Sequence, residues 1–127
     1  MREKKFRYTF IHVPTGNIEQ KIYTLSQLEE RDTKELSPCF NAEFGYKLIG
    51  RDDFTGLKDK NSKDIYEGDV TKGHWWRKGK SRRHVGRVAY VHSAFKVRGV
   101  KQYFGMDDEL NMTYEIIGNI YENPEML

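Results

Sequence analysis

A chain of 127 residues with 37% hydrophobic and 32% charged residues can close one small core without metal or disulfide staples. The single cysteine, Cys39, excludes an internal disulfide framework and points to a reducing compartment. The net charge of +3 is unevenly spread: Lys72 to Lys101 carries ten Lys or Arg and no acid, while residues 102–127 carry six acids and no Lys or Arg, a distribution that shapes the field rather than the fold.

In chain order, Phe6, Tyr8 and Phe10 alternate with Arg7, Thr9 and Ile11, the period of a half-buried strand. Pro14-Thr15-Gly16-Asn17 is a turn cluster and Ile18 to Tyr23 resumes the extended pattern, so residues 5–23 read as a β-hairpin. Thr24 to Glu30 reads as a short helix capped by Ser26 with Glu29 reaching back, and with Leu25 and Leu28 on one face. Lys34 to Phe44 reads as a connection, and Tyr46 to Gly50 as a short strand. Turn formers follow at Thr55-Gly56, Asp59 to Ser62 and Glu67-Gly68-Asp69, with Ile65, Tyr66 and Val70 between them. Val85 to Tyr90 alternates as a strand, Phe95 to Val100 and Gln102 to Phe104 are further short strands, and Met112 to Tyr121 is a last β segment. Many short strands separated by turns give a mainly β chain built as a small barrel or a sandwich. A single domain over 1–127 is expected, with an N-terminal β and short-helix part (1–53) and a C-terminal part (54–127).

Two segments carry a family resemblance. Tyr46-Lys47-Leu48-Ile49, followed by residues 54–70 (FTGLKDKNSKDIYEGDV), is similar to the YTGLKDKNGKEIYEGDIV stretch of the YopX family. Residues 114–124 (YEIIGNIYENP) resemble that family's EVIGNIYENPEL terminus, and the opening Met1 to Arg7 is like its usual start. Together they span roughly a third of the chain. The resemblance implies a phage or prophage origin and a β-rich fold with an SH3-like small barrel in the C-terminal part, which with the hairpin and short helix read above gives an N-terminal β-hairpin with a short helix followed by that barrel. It imports no activity. Ser62 stands where the family usually has Gly, and Lys72 to Arg83 is more basic than the usual connection. The glycines Gly56, Gly68 and Gly118 suit tight turns, and Tyr66, Val70, Ile117 and Ile120 suit core or rim packing. Structure alone can account for these motifs.

The segment Lys72 to His84 carries the strongest chemistry: cations neutralise phosphates, and Trp faces stack on unpaired bases. The candidate nucleic-acid set is Trp75 and Trp76 for stacking, with Arg77, Lys78, Lys80, Arg82, Arg83 and Arg87 on phosphates of a single strand or a duplex. The bland reading is a solvated hairpin tip with one Trp packed on the barrel rim, or a basic block paired with the acidic C-terminal third of this chain or of another copy. The alternative reading is a protein–protein interaction module binding a host or phage protein through the same face or a sheet edge, self-association included.

No convergent acid–base set marks an enzyme, and no cofactor is expected. Asp52-Asp53 and Asp107-Asp108-Glu109 read as solvated turn acids. His12, His74, His84 and His92 lack metal-ligand spacing, and Cys39 reads as a buried or incidental thiol. No apolar run approaches the ~20 residues that span a bilayer, and no apolar stretch follows the charged start. The expectation is a cytoplasmic protein without a membrane partner.

Overall fold

The computed structural model describes residues 4–127; Met1-Arg2-Glu3 of the opening match lies outside the described residues, as does the side chain of Arg77. The chain divides into two compact units, Met1–Phe54 and Thr55–Leu127. No helix among the described residues is long and apolar enough to cross a membrane.

In the first unit, the alternating residues form β1 (Lys5–His12), which pairs antiparallel with β2 (Asn17–Thr24) from Lys5↔Thr24 to His12↔Asn17. On its other side β1 pairs with β3 (Tyr46–Lys58), with a slip between Thr9 and Phe10. β3 is longer than the expected Tyr46–Gly50 and runs on through Thr55-Gly56 into the second unit, where its end lies beside β4 (Asp64–Tyr66). The unit boundary therefore falls inside one strand.

The helix α1 (Leu25–Glu30) is capped by Thr24, not Ser26. Thr24 is extended, its hydroxyl accepts from the Gln27 backbone N–H at 3.2 Å, and the Gln27 side chain accepts from the Thr24 N–H at 2.8 Å. Thr24 and Gln27 thus complete the reciprocal box that Ser26 and Glu29 were expected to make. The stretch expected to be a plain connection holds α2 (Thr33–Leu36) and 3₁₀ turns at Pro38–Phe40 and Ala42–Phe44. Each opens on a short polar side chain, Asp32, Ser37 or Asn41, that accepts from the N–H two residues on. Tyr8, Phe10, Tyr23 and the Cys39 thiol form the buried core, with Phe40 set edge-on to Phe10 and Tyr8 at ring separations of 5.0 and 5.2 Å. Edge-to-face contact of this kind adds to burial because ring edges are positive and faces negative.

The second unit carries β5 (Asp69–Arg77), β6 (Lys80–Val91), β7 (Ala94–Gly99), β8 (Asp107–Glu109) and β9 (Glu115–Asn119). They form an antiparallel sheet in the order β8-β7-β6-β5-β9, curled into a half-barrel. The molecule is mainly β, as its composition and turn spacing indicated. Several boundaries differ from expectation, the last strand among them, which spans Glu115–Asn119 rather than Met112 to Tyr121. β6 begins at Lys80 rather than Val85, Gln102 to Phe104 is mostly a 3₁₀ turn (Lys101–Tyr103), and the acidic run at 107–109 is a strand. Ile65, Val88, Val97, Leu110 and Tyr114 make the core, with Phe95 and Ile116 against it. Full burial of each aliphatic side chain contributes roughly 1.5–3 kcal/mol.

The family-like motifs are tied to one another by polar contacts. Asp59 is buried; its carboxylate accepts from the N–H groups of Asn61 (2.8 Å) and Lys63 (2.9 Å) in its own turn and of Ile116 (3.0 Å) in β9. Burial alone would push this carboxyl up, but the three backbone donors together with the Lys63 charge hold it below its ordinary value of 3.8. Gly68, at φ +90°, accepts from the Ile120 N–H at 2.9 Å. At Gly118 any Cβ would lie 2.5 Å from the Asn123 side chain, which accepts from the Asn119 N–H. Ser62, where the family usually has Gly, sits at φ +65°.

Candidate nucleic-acid interface

The basic aromatic segment is a two-stranded ribbon. β5 and β6 pair without interruption from Val70↔Arg87 to Arg77↔Lys80, and Lys78-Gly79 closes them with φ of +49° and +75°. Positive φ at both central residues is the type I′ turn, whose twist matches that of the flanking strands. The ribbon outruns its neighbours: β9 pairs with β5 only as far as Lys72, and β7 pairs with β6 only from Gly86 onward. Its last five residue pairs, Gly73↔His84 to Arg77↔Lys80, therefore project beyond the sheet.

Side chains alternate along each strand, and residues directly opposite share a face. Thr71, Gly73 and Trp75 on β5, with Gly86, His84 and Arg82 on β6, continue the core side of the sheet. Their burial follows suit: Thr71, Gly73, His84 and Gly86 are buried and Trp75 is half-buried. Lys72, His74 and Trp76, with Val85, Arg83 and Ser81, take the outer side, where Trp76 is 66% exposed. The two tryptophans thus point to opposite faces, and one straight strand of nucleic acid cannot stack on both.

The structure divides the candidate residues into groups. Trp75, Lys78, Lys80 and Arg82 line one open cleft at the ribbon tip. Arg83 lines a second hollow on the outer side with Lys72 and His74, and Trp76 lies on that outer side as well. Arg87 lies further down the sheet, opposite Val70 and Arg98. The Arg77 side chain is not described. Among the described residues, no ion pair joins Lys78, Lys80, Arg82 or Arg83 to a carboxylate. Arg98 of the same basic block does pair with Asp107, at 3.5 Å.

His84, counted in the sequence as part of the basic segment, is instead the ribbon's anchor. It is 1% exposed. Its Nδ1 lies 2.8 Å from the Tyr114 hydroxyl, which donates to Asp108 at 2.9 Å, and its Nε2 contacts the Met106 carbonyl. A carbonyl only accepts, and the Tyr114 proton is directed at Asp108. Nε2 is therefore the donor to Met106. Burial and the neighbouring Asp108 push the Tyr114 phenol well above its ordinary value, so it remains a donor. The Tyr114 ring lies flat against Gly73, where a Cβ would come within 2.5 Å of it. Gly73, His84 and Tyr114 together fix the point at which the ribbon leaves the sheet.

The acids read as solvated turn residues are strand residues with structural roles. Asp108 closes the His84–Tyr114 chain, and Asp52 lies buried opposite Arg7 across β1 and β3. Cys39 is buried among aromatic rings. Among the described residues no group of three or more His, Cys, Asp or Glu gathers to hold a metal ion.

The family model described as YopX protein matches residues 9–127. No curated protein matches the chain. Among solved structures, the crystal structure of protein EF1440 from Enterococcus faecalis is similar, at 24% identity over 98% of this chain and 97% of that one, with a TM-score of 0.49.

Proposed function

We propose, of a chain that belongs to the YopX protein family over residues 9–127, that it is a non-enzymatic accessory protein that binds single-stranded nucleic acid on the core-side face of its ribbon. Trp75 stacks on a base, and Lys78, Lys80 and Arg82 neutralise the flanking phosphates. The observation that carries this reading is the shared cleft of these four residues on a ribbon projecting past the sheet. An indole lining a cleft beside three cations is the arrangement a stacking platform needs. Arg83 and Trp76 on the outer face serve at most as a second, weaker contact. Such binding suits the phage or prophage setting that the family resemblance implies.

The test is fluorescence anisotropy of labelled single-stranded DNA, single-stranded RNA and duplex DNA at low and near-physiological salt. Single strands should bind, with log K falling by about 2 per decade of salt if three phosphates are neutralised. Trp75→Ala should cost about 1–3 kcal/mol of single-strand affinity, and Trp76→Ala much less. Equal losses from both substitutions would refute the assignment of faces. Preference for duplex would replace stacking by groove or phosphate contact, and no binding at low salt would leave the protein–protein reading.

A further inference from the structure

On the outer face of the second unit lies a hollow lined by Arg87, Arg98, Lys101, Phe104 and Asp107. Register explains how it arises. Arg87 and Arg98 face each other across β6 and β7, and Arg98 faces Asp107 across β7 and β8. Two guanidinium groups directly opposite on exposed strand positions repel, which works against pairing unless something takes up the charge. Asp107 takes up part of it through Arg98 Nε at 3.5 Å. Lys101 adds a third cation from the next turn, at φ +53°, a left-handed backbone uncommon for a lysine. Among the side chains lining the hollow, three cations face one carboxylate. At its rim Phe104 is 86% exposed, an aromatic face turned to solvent beside a cationic pocket.

We propose that this hollow binds a phosphate monoester attached to a planar ring: a nucleoside monophosphate or the 5′-phosphorylated end of a strand. The monoester carries between about −1.5 and −2 charge at neutral pH, which complements the cationic lining. Guanidinium forks suit its oxygens, and Phe104 stacks the attached base. The site does not rest on the ribbon reading, because none of the Trp75 cleft residues lines it.

The experiment is amide NMR titration of the full chain with thymidine monophosphate, thymidine, inorganic phosphate, and a short thymidine oligomer with and without a 5′-phosphate. Thymidine monophosphate should shift the amides of Gly99, Lys101 and Gly105 saturably; phosphate alone should shift them with lower affinity, and thymidine should not. Arg87→Gln and Phe104→Ala should each weaken the monophosphate by about tenfold or more, with the remaining spectrum reporting an intact fold. Trp75→Ala should leave these shifts unchanged, so failure here and failure of the ribbon reading are separable. If the 5′-phosphorylated oligomer binds more tightly than the monophosphate, the ligand is a strand end; equal affinity marks a free nucleotide. Thymidine binding as well as its monophosphate, or Arg87→Gln without effect, would overturn the proposal.

Discussion

The two units close their cores by different means. In Met1–Phe54 the core is a stack of rings, Tyr8, Phe10, Tyr23 and Phe40, around one thiol. In Thr55–Leu127 an aliphatic cluster is threaded by buried polar groups: Asp59 on three backbone N–H groups, the His84–Tyr114–Asp108 chain, and Thr55 donating to the Ile65 carbonyl at 2.8 Å. Apolar ring packing depends more on volume than on the identity of each partner and tolerates volume-conserving exchange, with edge-to-face geometry a smaller addition. A buried carboxylate or imidazole tolerates almost none, since each partner removed strands another. The segments that resemble the family at length fall mostly in the unit with polar locks, where residue identity is dictated rather than only residue size.

The largest effect should come from breaking the ring core. Phe10→Ala, at a side chain 1% exposed, should cost about 3–5 kcal/mol in urea unfolding, whereas Phe10→Leu should cost far less. A comparable loss for both would show that the first unit depends on ring geometry rather than volume.

Asp59→Asn should come next, at about 1–3 kcal/mol near neutral pH, because an amide NH2 must face one of the three N–H donors whichever way it is turned. The same substitution sharpens the comparison through pH. A carboxyl held below its ordinary value contributes stability that is present above 3.8 and is lost as pH falls through the lowered value. The native chain should therefore lose stability on acidification below about pH 4, and Asp59→Asn should flatten that part of the profile. An unchanged profile would remove Asp59 from the set of locks.

The smallest effect has the opposite sign. Ser62 occupies φ +65° on an exposed turn, where glycine carries no steric cost. Ser62→Gly should raise the melting temperature, with a gain of about 0.5–1 kcal/mol after glycine's own entropy is counted.

Legibility in the sequence followed apolar content. β1 and β2 were readable because Phe6, Tyr8 and Phe10 alternate and the Pro14–Asn17 cluster marks the turn. The first half of β6, Lys80 to His84, carries no aliphatic residue and became strand only by pairing across Lys78-Gly79. β8 is three acidic residues held by register with β7. The β6–β7 turn, His92-Ser93 at φ +51° and +65°, uses neither Gly nor Asn. Without that turn, the opposition of Arg87 and Arg98 could not be counted out. The residues that line the cleft stood out in the sequence, because cations interleaved with tryptophan are visible in one dimension. The division of Trp75 from Trp76 was not, because it follows from the segment being strand rather than loop.

That division has a consequence for how the ribbon can diverge. Strand side chains obey odd–even parity, so one residue inserted between Gly73 and Trp75 would exchange the two indoles between faces and leave composition and net charge almost untouched. A two-residue insertion would restore the arrangement and merely lengthen the ribbon. Relatives that differ here by an even count of residues should keep the same indole on each face, and those that differ by an odd count should exchange them, whatever their overall similarity.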